Sequence, residues 1–360
     1  MSFDDRFLFD LAPARLNNLR QTRYGGGDMG VLLSELPPDD ATHVRELYAA
    51  LSTLLGGLRV ALRIPAGDGG APGGFSNGSP DIGDASVGEI EQAITILRST
   101  AKSPQWSSAI HGARALHAHQ QDDGRSESDV VRVRQAFHDV RGGALAALAL
   151  TLEFIAIGGA TTADVVRCFY LTRDHLKIMR NAIEDIDTGA RARDQVQRDH
   201  GADLLFEKWS GATHRLAAGA SARVAVDSTY DGPVSRRCLE FSALDRVLYN
   251  LMNNAVRFTT DGVVELYLRM VHGNLRFVVA NATSAEHRAV LARNHGDAMG
   301  TLFLGGFSTG GEGVGLSICG EFVANAYGLA SGEDAIAGGH VGAKIVDGAF
   351  VAWFHWPLGA

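Results

Sequence analysis

SALDRVLYNLMNNAVRF, residues 242–258, places apolar residues three and four apart and reads as an amphipathic helix. Its polar face is unusual. Asn250, Asn253 and Asn254 fall within five residues, although asparagine is a poor helix former that prefers caps and turns. Asn250 and Asn254 are four apart and share one face, with Arg257 one turn beyond Asn254. Amide oxygens on such a face can ligate Mg²⁺, which takes oxygen ligands and bridges phosphates, and an arginine beside them can neutralise phosphate charge. Outward from this helix the pattern changes to strands. ARVAVDS (222–228) precedes it. VVELYLRMV and LRFVVANA follow, joined by the turn HGN at 272–274, and GAKIVDGAFVAWFHWPL (342–358) folds back at Asp347-Gly348. Strands in hairpins with helices on one side make an α+β sandwich over 200–360.

Between the two hairpins lies GGFSTGGEGVGLSI, residues 305–318. Glycines 310, 311, 313 and 315 let backbone N–H groups approach phosphate oxygens. The helix that starts at GVGLSI then points its positive end at the same place. A mobile glycine loop is the plain alternative, and the helix start directly after the glycines favours the phosphate reading.

Upstream, about 127–188 reads as an antiparallel helical hairpin. Its first helix holds VVRVRQAFHDVRGGALAALALTLEFIAI (130–157). The break GGAT at 158–161 follows, with Thr161 and Asp164 at capping-box spacing. The second helix carries Val165, Phe169, Thr172, Leu176, Met179, Ile183 and Ile186 on one stripe. A lone hairpin cannot cover its apolar faces, so pairing into a four-helix bundle across a homodimer is expected. Within FHDVRGG (137–143), His138 stands beside Asp139. An imidazole becomes a phosphoryl acceptor when a carboxylate holds its other ring nitrogen. Among 13 histidines, one such pair is ordinarily just a surface pair. Its position relative to the other motifs is what makes it informative.

Residues 1–126 name no chemistry. VRELYAALSTLLGGLRVALRI (44–64) and 87–123 have helical spacing, and AGDGGAPGGFSNGSPDIGDAS (66–86) reads as a flexible linker. Composition sets the frame: 46% hydrophobic and 21% charged is globular, and 360 residues are enough for several domains. A net charge of −8 argues against nucleic-acid binding. Cys168, Cys238 and Cys319 lack metal or disulfide spacing, which fits a cytoplasmic protein. The most apolar run, 144–157, contains Glu153 and falls short of the ~20 residues of a membrane span.

Taken in order, these motifs resemble the sensor histidine kinases, whose ATP-binding domain is of the GHKL type shared with gyrase, Hsp90 and MutL. FHDVRGG is similar to the H-box, LDRVLYNLMNNAVRFT to the N-box and LFLGGFSTGGEGVGLSI to the G2 box. The resemblance covers 127–360. It implies a helical N-terminal region (1–126), a dimerisation and histidine-phosphotransfer hairpin (127–199) and an ATP-binding α+β domain (200–360). It further implies that His138 is phosphorylated with Asp139 assisting. ATP is bound by Asn250, Asn254, Arg257, Asn281, Ser308, Thr309, Gly311, Gly313, Gly315 and Leu316, with Mg²⁺ on Asn254. The partner is the receiver domain of a response regulator. Two departures stand out. Asn281 sits near the place of the family's adenine-reading Asp, where an amide offers an acceptor oxygen without charge. Gly142 stands four residues after His138, where many relatives carry Thr or Asn. A histidine phosphotransferase or pseudokinase is the nearest rival, favoured by Asn281. An anti-sigma-type serine kinase is a second, for which the histidine hairpin would have no use.

Overall fold

The computed structural model describes residues 3–11, 30–64, 86–116, 127–158, 161–194, 196, 199–206, 209–210, 213–215, 221–305 and 315–358. Two compact units form, one of Gly27–Val196 and the other of Met1–Gly26 together with Gln197–Ala360. Helix α1 (Asp5–Asp10) therefore belongs with the C-terminal part. The helices of 38–115 share a unit with the hairpin, where sequence texture separated them into 1–126 and 127–199.

In the helical unit, α2 (Pro38–Ala61) starts on a proline, whose missing N–H costs a first turn nothing. It buries Val44, Leu47, Leu51, Leu54 and Leu58, a strict three-and-four spacing. α3 (Val87–Lys102) opens on a Ser86/Glu89 capping box and α4 (Pro104–Ala115) on Ser103. The expected hairpin follows as α5 (Glu127–Arg141), α6 (Gly143–Ala156) and α7 (Thr162–Ala182), then α8 (Thr188–Asp194). The Thr161/Asp164 capping box is present.

Two features of the hairpin differ from the sequence reading. Its first helix is not continuous: Gly142 takes φ −59° and ψ 176°, so α5 ends and α6 restarts with Gly142 as N-cap. Adjacent glycines are the weakest place in a helix, and a Cβ at Gly142 would lie 2.9 Å from His138 O. The stripe is buried as expected over Val165, Phe169, Thr172, Leu176, Met179 and Ile183, each at most 3% exposed, but α7 ends at Ala182, so Ile183 caps it and Ile186 lies beyond it, half-buried. Its cover, however, comes from within the chain, because α2 and α3 pack on α7 alongside α5 and α6. The stripe alone therefore does not require a second chain. No helix among the described residues is long and apolar enough to cross a membrane.

The second unit contains β1 (His200–Gly201), α9 (Asp203–Phe206), β2 (Thr213–Arg215), β3 (Ser221–Ser228), β4 (Pro233–Ser235) and α10 (Cys238–Phe258). It continues with β5 (Val263–Val271), β6 (Asn274–Ala282), α11 (Ala285–His295), α12 (Gly315–Ala326) and α13 (Gly332–Ala337), and ends in β7 (Val341–Val346) and β8 (Ala349–Pro357). Apart from the pair β1–β4, the strands form one sheet in the order β2-β3-β5-β6-β8-β7. Both expected hairpins close in two residues with positive φ, His272-Gly273 and Asp347-Gly348, the turn chemistry that matches strand twist. β3 and β5 are parallel, which demands a crossover, and α10 supplies it. That connection lays α10 against the sheet, where Trp356 Nε1 donates to Glu240 at 3.4 Å. On this inner face Phe277 and Phe354 stack at 4.8 Å. The outer face carries Tyr267, Val278, Ala280, Val351 and Trp353, covered by Leu8 and Leu11 from α1 and the segment after it.

Candidate functional site

α10 holds three of the expected nucleotide residues, and its relation to α12 is the informative feature. Asn250 Nδ2 donates to Gly315 O at 3.2 Å, tying the asparagine face to the first residue of the helix after the glycine loop. The Cys319 thiol donates to the same carbonyl at 3.2 Å, and burial pushes that thiol up to about 12, so it stays a proton donor. The sequence reading gave Asn250 a ligand-binding role, and the bond to Gly315 takes up only its NH₂ group, not the amide oxygen.

Asn254 is half-buried one turn along, and its side-chain amide makes no hydrogen bond to a described residue. An amide oxygen on such a face is a suitable ligand for Mg²⁺. Arg257 is exposed, its guanidinium 5.2 Å from the Phe258 ring, and Phe258 stacks on His287 at 4.4 Å. Burial lowers the His287 pKa, which keeps that ring neutral near pH 7.

Asn281 lies on β6 between Val264 of β5 and Phe350 of β8, 4% exposed. Strand alternation puts it on the inner face with Phe277 and Val279, the face that α10 covers. Its Nδ2 donates to Ala282 O at 3.1 Å. The amide is therefore oriented by its own strand, and Oδ1 is the atom left to accept. Gly315 and Leu316 open α12, both half-buried. Ser308, Thr309, Gly311 and Gly313 lie outside the described residues.

His138 is on the last turn of α5, in the other unit. Its side chain is 22% exposed, and Nδ1 stands 3.6 Å from Asp139 Oδ1, beyond hydrogen-bond reach. Nδ1 is buried without a hydrogen-bond partner among the described residues, so the nitrogen offered outward is Nε2. Asp139 is itself buried, at 6% exposure.

Sequence reasoning missed His175. This residue of α7 is fully buried and donates Nε2–H to Val140 O at 3.0 Å. The break at Gly142 deprives the last carbonyls of α5 of their helical donors. His175 replaces one of them, two residues from His138. Its only trace in the sequence is a histidine next to a stripe position. His175→Leu is expected to leave that carbonyl unsatisfied and to lower stability by about 1–3 kcal/mol. A urea midpoint equal to wild type would remove this role.

Residues 240–358 match the family described as histidine kinase-, DNA gyrase B-, and HSP90-like ATPase. No protein of curated function matches the chain. Among solved structures, the nucleotide-free catalytic domain of histidine kinase ThkA is 20% identical, covers 37% of this chain and 78% of its own, and has a TM-score of 0.28. Full-length ShkA in complex with AMPPNP is 20% identical over 59% of this chain and 42% of its own, with a TM-score of 0.29. Acinetobacter baumannii histidine kinase AdeS is 13% identical over 62% of this chain and 98% of its own, with a TM-score of 0.23. These are partial likenesses, and nothing about function rests on them. The match over 240–358 agrees with the motif order, and this C-terminal domain belongs to the histidine kinase-, DNA gyrase B-, and HSP90-like ATPase family.

Proposed function

We propose that the chain is an ATP-dependent, autophosphorylating histidine kinase that passes a phosphoryl group from His138 to an aspartate of a response-regulator receiver domain. The observation that carries the reading is the Asn250–Gly315 clamp. It joins the asparagine helix to the helix after the glycine loop, beside Asn254, whose amide makes no hydrogen bond to a described residue.

In this reading ATP lies on the inner side of the ATPase unit. Asn250 and Asn254 face the nucleotide, the amide oxygen of Asn254 on Mg²⁺, Arg257 faces phosphate, and Asn281 Oδ1 accepts from the adenine amino group. Ser308, Thr309, Gly311, Gly313, Gly315 and Leu316 bind the phosphates. Bound Mg²⁺ supplies charge neutralisation across the phosphates. His138 Nε2 attacks the γ-phosphorus as the bond to the ADP oxygen breaks. The proton on Nδ1 is held by Asp139 once the 3.6 Å gap closes. Dimerisation through the exposed side of α6, where Leu150 is 60% and Ile157 80% exposed, belongs to the same proposal.

Incubation with γ-labelled ATP tests the reading: acid-labile, base-stable label on the protein is expected. Nucleotide binding without any label would favour a pseudokinase, the rival to which the uncharged Asn281 lends support. Asn281→Ala tests the adenine contact. Loss of one neutral hydrogen bond, about 1 kcal/mol, should weaken ATP binding roughly 5–10-fold in isothermal titration. Equal affinities would mean that Asn281 does not touch adenine.

A further inference from the structure

The break at Gly142 leaves His138 at a helix end rather than in a helix middle. α5 stops at Arg141, three residues beyond it, and the chain turns away at Gly142. Gly142 N–H bonds back to Asp139 O at 3.3 Å, a three-residue step in place of the four-residue step to His138 O. Val140 O takes its bond from another helix, from His175 Nε2 at 3.0 Å.

The donor sits on a fixed support. From Leu171 to Arg180, α7 has no exposed residue, and Arg180 Nε donates to Asp194 Oδ2 at 2.6 Å. His175 itself is fully buried. A leucine or phenylalanine would fill that space without desolvating ring nitrogens, so an imidazole is costly there unless its polarity is used. Its Nε2–H goes to a carbonyl two residues from His138. A helix end whose carbonyls are not held frays. An imidazole has only two side-chain torsions to fix, so it ties the last turn of α5 to α7 at little entropic cost.

We propose that His175 is a positioning residue for the phosphorylation of His138: by holding Val140 O it fixes the last turn of α5, and with it the line along which His138 Nε2 is offered. The proposal rests on the kinase reading. Phosphoryl transfer is governed chiefly by placement, and a misplacement of about 1 Å costs roughly 10²-fold. Asp139 adds a second demand. The 3.6 Å gap between His138 Nδ1 and Asp139 Oδ1 must close by side-chain rotation while the backbone of both residues stays in place, and both directly precede Val140.

His175→Leu and His175→Gln in the full chain test it, at a temperature where circular dichroism shows every variant folded. Leucine fills the space without a donor, whereas the glutamine amide N–H reaches about as far as Nε2–H. In the leucine variant the amides of the last turn of α5 should lose hydrogen-exchange protection. Its labelling rate at saturating Mg-ATP should fall about 10-fold or more. The ATP concentration for half-maximal rate should stay within about twofold, since ATP is held by the other unit. Glutamine should restore protection and bring the rate to within about threefold of wild type. Leu97→Ala, which opens a cavity on α3 in the same unit, should leave the rate unchanged and so separates positioning from general loss of stability. His175→Asn, polar but too short to reach Val140 O, carries the test if the leucine variant does not fold; if glutamine does not restore protection, the leucine variant and Leu97→Ala decide. Retained protection in the leucine variant, a normal rate despite lost protection, or equal slowing in Leu97→Ala would each overturn the proposal. Absence of label in wild type would instead sink the kinase reading, and hydrogen exchange alone would then decide whether His175 fixes the last turn.

Discussion

His138→Gln is expected to eliminate acid-labile, base-stable label from γ-labelled ATP, a loss of at least about 10³-fold, because it removes the nucleophile itself. Glutamine keeps the polarity and much of the length of the side chain, but the lone pair of its amide nitrogen is delocalised and does not attack phosphorus. The fold should hardly notice. His138 Nδ1 has no hydrogen-bond partner among the described residues to lose, and the side chain is 22% exposed. A stability change within about 1 kcal/mol is expected, readable as an unchanged urea midpoint. Unaltered labelling in this variant would move the phosphoacceptor elsewhere among the 13 histidines, and mass spectrometry of the labelled peptide would then locate it.

Asn254→Ala is expected to slow labelling by about 10²-fold and to raise the Mg²⁺ concentration needed for half-maximal rate, because charge neutralisation carries much of phosphoryl transfer. The helix should be slightly stabilised, alanine being the better helix former. The structure sharpens this expectation. Of the two asparagines on the shared face, Asn250 already spends its NH₂ group on Gly315 O, whereas the Asn254 amide has no described partner. Asn253→Ala is a suitable control, since it removes the neighbouring amide one helix position away from that face. Normal labelling by Asn254→Ala at subsaturating Mg-ATP would take the metal role away from it. Equal losses in the Asn253 and Asn254 variants would point to a disturbed helix rather than to a lost ligand.

What could be read from the residues alone was whatever is local or periodic. The hairpins at His272-Gly273 and Asp347-Gly348 follow from turn chemistry, α10 and α7 from apolar spacing, and the capping box at Thr161 from two side chains three residues apart. Motif order pointed to the ATPase family of 240–358 for the same reason, since each motif is a short contiguous segment. Tertiary structure decided everything that depends on partners far apart in the chain. The α7 stripe needed a cover, but periodicity does not say whose, and α2 and α3 of the same chain provide it. The role of His175 exists only because the break at Gly142 frees a carbonyl 35 residues away. Asn250 became a clamp because Gly315, 65 residues later, comes within 3.2 Å of it. α1, six residues with no stability of its own, took its place from Arg276 and the back of the sheet. A hydrogen bond or a buried face is a property of two surfaces, and a sequence displays only one of them at a time.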